Sequence, residues 1–242
     1  DAVTVAAAIQ AVSEGDFSSS SNATGLQFLT GNSAAATAKM VLTSGGSGNE
    51  GRLGVGTTHP ASDAGLDAFI EVQGGDPGIV LRDDTASDAV EVYGSAGTFV
   101  VYTGGNDTLK IDSAGHVTMP KQPAFNVRQD SIQQNLSNNT TIQFPNETFD
   151  VNDDFASNTF TAPVTGKYLL AFEVSVVQLD EDATYSRVSM TTSNRGFHFK
   201  ITSTQDFNGS DPDYYTFEGA MLVDMDAQDT AYLTWHQSGG SS

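Results

Sequence analysis

A chain of 242 residues is long enough for one large or two modest domains, and 38% hydrophobic residues with 24 glycines is a globular composition that excludes disorder throughout. Thirty acidic against ten basic residues leave a formal net charge of −20, whose field repels phosphate backbones and anionic lipid and argues against nucleic acid and membrane insertion. With no cysteine there is no disulfide framework, so stability must come from packing or oligomerisation.

Residues 1–24 read as an N-terminal segment and linker. The apolar run Val5–Val12 is too short to span a bilayer, and no basic region precedes it. Ala2–Val12 fits either a short helix or a strand completing a neighbour, and Ser18–Thr24 is linker. The chain has no initiating methionine, which leads us to expect a processed protein or a fragment.

From Gly25 to Pro120 short β-like runs alternate with Gly, Ser, Asn and Asp: Leu26-x-Phe28, Met40–Leu42, Leu53-x-Val55, Phe69–Val72, Ile79–Leu81, Val90-x-Val92, Phe99–Tyr102, Leu109-x-Ile111 and Val117-x-Met119. Strands of three or four residues bury too little to stand alone and need partners in other layers or other chains. A weak internal repeat sets Leu26–Gly56 beside Thr98–Pro120, each copy running strand, glycine loop, strand, turn, strand. Leu53-Gly-Val-Gly-Thr-Thr-His-Pro60 and Leu109-Lys-Ile-Asp-Ser-Ala-Gly-His-Val117 resemble the GIGTTSP and L-x-I-D-x-x-G-x-V repeats in the shafts of bacteriophage tail fibres and related bacterial surface proteins. His59 stands where such repeats usually carry Ser. The resemblance implies a repetitive, fibrous β shaft over residues 25–120.

Met119-Pro-Lys-Gln-Pro123 is a joint, because two prolines in five residues exclude helix. Beyond it the strands lengthen. Thr159–Tyr168 reads as a strand entry, a Pro-Gly turn and the start of a long alternating strand, with Tyr168, Leu170, Phe172, Val174 and Val176 on one face. Tyr185–Met190, Phe197–Ile201, the alternating set Tyr215 to Val223, and Ala231–Trp235 follow, the last two separated by the acidic turn Asp224–Asp229. Repeated strands with turns between them indicate an antiparallel sandwich or jelly roll. Phe125, Ile142-x-Phe144, Phe149-Asp150 and Phe160-Thr-Ala-Pro-Val-x-Gly-x-Tyr168 resemble the complement component 1q-like and tumour-necrosis-factor-like jelly-roll heads that cap trimeric fibres. That resemblance implies a homotrimeric head over 124–242, with Phe160, Tyr168, Leu170, Phe172 and Val174 in its core. Such heads close with a strand bearing a Phe-x-Gly-type motif, whereas this chain runs out at His236–Ser242. The expected head therefore lacks its final strand, or takes it from elsewhere.

Catalytic signals are weak. Gly54-x-Gly56 has no third spaced glycine, no following P-loop lysine and no βαβ context, so a turn explains it better than a phosphate loop. His59, His116, His198 and His236 are scattered without zinc-site pairing, and nothing resembles a nucleophile elbow. The expectation is a protein that is not an enzyme. Acidic loops at Asp150–Asp154, Asp180-Glu181-Asp182, Asp206–Asp213 and Asp224–Asp226 supply the hard oxygen ligands that suit calcium, although none matches the twelve-residue helix-flanked loop. Solvated β-turns are the favoured reading there. Calcium at Asp206, Asp211 and Asp213 is the metal alternative, and no other cofactor is expected. Asn-x-Ser/Thr sequons at Asn22, Asn106, Asn135, Asn138, Asn139, Asn146 and Asn208 are common enough in so Asn-, Ser- and Thr-rich a chain to arise by chance.

The two resemblances together imply an all-β homotrimer: a short-stranded shaft over 25–120 and an antiparallel jelly-roll head over 124–242. Such a chain would act as an extracellular virion fibre or receptor-binding protein, most simply of a phage. Its partners would be itself, other virion proteins through the N-terminal segment, and a host surface receptor or glycan. Loops 178–184 and 205–214 are the expected ligand surface, through Asp180, Glu181, Asp182, Asp206, Asn208 and Tyr214. A virion decoration or connector protein and a secreted bacterial adhesin are the alternatives.

Overall fold

The computed structural model describes residues 5–20, 22–32, 34–44, 51–62, 64, 66, 69–83, 85, 88–203, 207 and 209–240, and no helix occurs among them. The chain divides into two compact units, Asp1–Pro120 and Lys121–Ser242.

In the first unit β1 (Ala7–Ser13), β2 (Thr24–Thr30), β3 (Thr37–Leu42), β4 (Leu53–Val55) and β5 (Ile70–Val72) pair in that order, antiparallel except for a parallel β4–β5 contact. The segment left open between helix and strand is therefore strand from Ala7 onward, and its partner is β2 of the same chain. A second sheet has β6 (Gly78–Arg82), β7 (Ala89–Ser95), β8 (Thr98–Thr103), β9 (Asn106–Ile111) and β10 (Val117–Thr118) in sequence order, all antiparallel. The β7–β8 and β8–β9 hairpins use two-residue turns in which both residues have positive φ: Ala96 (49°) with Gly97 (78°), and Gly104 (58°) with Gly105 (78°). That geometry matches the right-handed twist of the strands it joins.

Register gives both sheets a face with rows of apolar side chains. In the first, Leu26, Leu42, Leu53 and Ile70 lie opposite one another across four strands, and two residues along Ile9, Phe28, Met40, Val55 and Val72 form a second row on the same side. In the second, Ile79, Val92, Val101 and Leu109 form one row, and Phe99, Ile111 and Val117 another. These rows are not covered. Ile9, Ile70, Ile79 and Val117 are each more than half exposed, and among the described residues only Val41, Ala89 and Val100 are buried hydrophobics of this unit.

The second unit holds β11 (Ala124–Arg128), β12 (Thr140–Thr141), β13 (Asn146–Val151), β14 (Phe155–Ala156), β15 (Thr159–Thr161), β16 (Gly166–Val177), β17 (Ala183–Thr192), β18 (Gly196–Ser203), β19 (Tyr214–Met225) and β20 (Thr230–Gly239). Six of these make one sheet, β14-β15-β20-β17-β18 with β12 also on β20; β16–β19 and β11–β13 make two-stranded sheets. Side chains from all three converge on one core, which makes the unit an antiparallel jelly-roll sandwich. Phe217, Trp235 and Ile142 are at most 2% exposed, and the Phe217 and Trp235 rings meet edge-on with centroids 5.5 Å apart. Truncation of a buried Trp of this kind costs about 3–5 kcal/mol. Phe160, Leu170 and Val174 are buried in this core, and Tyr168 and Phe172 pack half-buried against it. The strand read as Ala231–Trp235 runs on to Gly239, because His236–Gly239 continue the ladder with β17.

Candidate functional site

The end of β16 brings the two expected ligand loops together. Gln178 adopts φ 53°, a left-handed conformation that turns the chain out of the strand. Its side-chain amide donates to Asp213 Oδ1 at 3.0 Å, and the Glu181 backbone N–H donates to Asp211 Oδ1 at 2.8 Å. Asp180 Oδ1 accepts from the Asp182 N–H at 2.8 Å, which closes an Asx-type turn. Leu179 and Ala183, at 1% and 0% exposure, anchor the first loop in the core. Loops 178–184 and 209–214 thus form one ledge, held by one bond between side chains and one from backbone to side chain.

The roles within that ledge differ. Asp182 is exposed and Tyr214 is 78% exposed, so both present a free surface. Asp180 and Glu181 are half-buried. Asp211 and Asp213 are spent as acceptors on two different donors of the neighbouring loop. Asp206 and Asn208 lie outside the described residues. Among the described residues no group of three His, Asp or Glu side chains is placed to hold a metal ion. Asp150 accepts from the N–H groups of Asp154 (3.1 Å) and Phe155 (2.8 Å), and so acts as a turn former.

A second cluster had no signal in linear sequence. Strand register sets Arg187 beside His236 and Ser189 beside both Thr234 and His198, so one side of the β18-β17-β20 sheet gathers three basic side chains on a strongly acidic protein. The two imidazoles lie 6.4 Å apart, edge to face. Burial, then Arg187, then His198 hold the His236 pKa below its usual range. His198 Nδ1 lies 2.9 Å from Ser189 Oγ, a serine and histidine contact absent from the sequence reading. Ser189 is 1% exposed, so its hydroxyl cannot meet a substrate; the pair satisfies a buried hydroxyl.

The turns of the shaft-like motifs have a local cause. Gly56 has φ 79°, and a Cβ there would run into the Gln73 carbonyl. Pro60 is buried, whereas His59 is exposed.

No protein-family model matches this chain, and no curated protein matches it. Among solved structures it is similar to the globular domain of zebrafish complement 1qA protein, at 21% identity and a TM-score of 0.38, over 49% of this chain and 84% of that one.

Proposed function

We propose that this chain is a non-enzymatic, self-associating attachment protein of a virion surface, a homotrimeric fibre whose first unit is the shaft and whose second unit is the binding head. The observation that carries the reading is the pair of uncovered apolar faces in the first unit. A sheet that is apolar on one face and solvated on the other is a half-finished layer. Copies of the same chain are the partner that supplies a matching apolar face in every case, and threefold packing about one axis closes the layer without leaving an open edge. Strand β6 adds to this, since Ile79, Val80 and Leu81 are each more than half exposed on both sides of an edge strand.

Three heads on one stem make weak individual contacts bind strongly together. The ledge of Asp180, Glu181, Asp182 and Tyr214 is the proposed receptor or glycan contact, and a phage tail fibre is the most concrete role. Calcium at Asp206, Asp211 and Asp213 belongs to this proposal as a stabiliser of the ledge. Two measurements test it. Light scattering of the purified chain is expected to give three protomers, and Ile79→Lys with Leu42→Lys to give one. The purified trimer is expected to bind cells and to compete with infection, and Asp182→Ala with Tyr214→Ala to abolish that competition. A monomer in the unsubstituted protein sinks the fibre reading. A trimer that ignores cells but co-purifies with capsid or tail transfers the role to a decoration or connector protein.

A further inference from the structure

Alternation sorts the side chains of β17, β18 and β20 onto two faces. Val188, Met190, Phe197, Leu233 and Trp235 enter or pack against the core, so Arg187, Ser189, His198 and His236 stand on the opposite face of the sheet. Three of those four carry or can take up positive charge, on a chain whose formal net charge is −20. Carboxylates are abundant on such a chain, yet among the described residues Arg187 pairs with none. None offsets His236 either: burial, Arg187 and His198 all press on that ring in the same direction. The neighbouring strand β12 adds only Thr140 and Thr141.

The guanidinium is presented to a planar anion. It lies over the half-buried Tyr185 ring, Cζ 5.5 Å from the centroid, and stacking of this kind occupies the face of the fork while leaving its N–H edges for in-plane acceptors. Arg187 Nε is buried with no hydrogen-bond partner, so the desolvation of this cation is only partly offset, and an anion on the fork offsets it further. His198 Nδ1 is engaged with Ser189 Oγ at 2.9 Å; where the hydroxyl donates, the ring carries its own proton on Nε2, on an exposed side chain. A metal ion is disfavoured, because Arg187 is a permanent cation opposite His236 on the ladder. An extended polyanion is disfavoured too, since each further charge meets the field of an acidic protein. A single carboxylate meets that field least. Thr191 and Tyr232, opposite one another two residues along from Ser189, continue the same face with half-buried hydroxyls and no charge, which match the hydroxyls of a sugar ring.

We propose that Arg187, His198 and His236 form a recognition site for a carboxylate-bearing sugar of the uronic acid class, with the carboxylate on the Arg187 fork beside the imidazoles and the ring lying along Thr191 and Tyr232. The site uses none of the ledge residues and needs no trimer, so it stands apart from the attachment reading. Protonation of His236 adds a second cation beside the carboxylate. The sugar carboxylate stays ionised down to pH 5.5, so affinity rises as pH falls from 7.5 to that value.

The test titrates the full chain by calorimetry with glucuronate at pH 7.5 and 5.5, with glucose as the sugar without the charge and acetate as the charge without the sugar. Glucuronate is expected to bind at least tenfold more tightly than either, and at least threefold more tightly at pH 5.5 than at pH 7.5. Arg187→Gln is expected to weaken it at least tenfold, and Lys167→Gln, which removes a 68% exposed cation on β16, by less than twofold. His236→Asn is expected to remove the gain at low pH. Imidazole NMR signals of the unsubstituted protein give a readout that needs no variant: glucuronate is expected to shift those of His198 and His236 and to leave those of His59 and His116 in place. Glucuronate no tighter than glucose, or unmoved His198 and His236 signals, overturns the site. Acetate as tight as glucuronate overturns the sugar. Equal losses in Arg187→Gln and Lys167→Gln reduce the binding to general attraction by charge and also overturn it.

Discussion

Asp112 holds the β9–β10 turn closed by accepting, through Oδ1, the backbone N–H of His116 at 2.9 Å, while its Oδ2 lies 2.9 Å from His116 Nδ1. Oδ1 also accepts the Ala114 N–H, and Gly115 takes φ 87° to complete the reversal. The Asp-x-x-Gly-His stretch is thus a self-contained turn device. Replacing Gly115 by Val is expected to cost about 1–2 kcal/mol, the penalty of a left-handed L-residue, and more if the β-branch clashes. Asp112→Ala is expected to free the same amides. The His116 side chain, then its backbone N–H, hold the Asp112 pKa below the usual carboxylate range. A depressed carboxylate contributes stability above about pH 3.8 and loses it as pH falls through its lower folded value. Exchange rates of the Ala114 and His116 amides at pH 6 and pH 3 check this; amides equally protected in Asp112→Ala would refute it.

The strand calendar of the chain was legible because alternation is a local signal. Leu170 and Val174 are buried while Leu169, on the opposite face of the strand, is 72% exposed, as the spacing requires. Length was less legible where the pattern lapses. His236-Gln-Ser-Gly239 carries no apolar alternation, yet it is strand because β17 offers a ladder. Ala7–Ser13 has helix-forming alanines, and pairing with β2 overrides that local preference. Register was not legible at all, and the most informative features depend on it. The row Leu26, Leu42, Leu53, Ile70 and the meeting of His198 with His236 exist only once strands are paired. For the ledge, the acidic loops could be picked out one by one, but the Gln178–Asp213 and Glu181–Asp211 bonds that join them could not.

Gly219 on β19 sits directly under the Phe199 ring, opposite Phe172, and Phe172 and Phe199 meet edge-on with centroids 5.1 Å apart. A Cβ at 219 would collide with the Phe199 ring. Gly219→Ala is therefore expected to destabilise the second unit by about 1–3 kcal/mol through overpacking, despite the usual gain from replacing a strand glycine. Combining it with Phe199→Leu should restore part of the loss. Denaturant midpoints of the two single variants and the double variant check this, and strict additivity would show that the ring does not press on the glycine.

Asp154 has its Oδ2 buried with no hydrogen-bond partner, beside Asp150 and Asp153. Burial, and then those two carboxylates, push its pKa up against the opposing bond with Asn152. For a raised carboxylate the folded state favours the proton, so stability is fully present below about pH 3.8 and declines as pH rises through the folded value. Asp154→Asn keeps the shape and removes the charge. It is expected to raise the unfolding midpoint at pH 7 and to leave it unchanged at pH 3. A loss at pH 7 would mean that the charge is needed by the Asp150 turn.

His236 gives the opposite slope in a different window. Its neighbours across the ladder and on the adjoining strand are Arg187, Ser189 and His198, with no carboxylate among them, so a proton on this ring meets burial and like charge alone. A histidine depressed in the fold is protonated more readily in the unfolded chain. Stability is therefore full above the unfolded value of about 6.5 and falls as pH drops below it, until the folded ring also takes its proton. Acidification from pH 7.5 to 5.5 is expected to lower the denaturant midpoint of the second unit, and His236→Asn to remove most of that drop while His59→Asn, at an exposed site, leaves it. Equal slopes in His236→Asn and the unsubstituted protein would move the acid sensitivity to other groups.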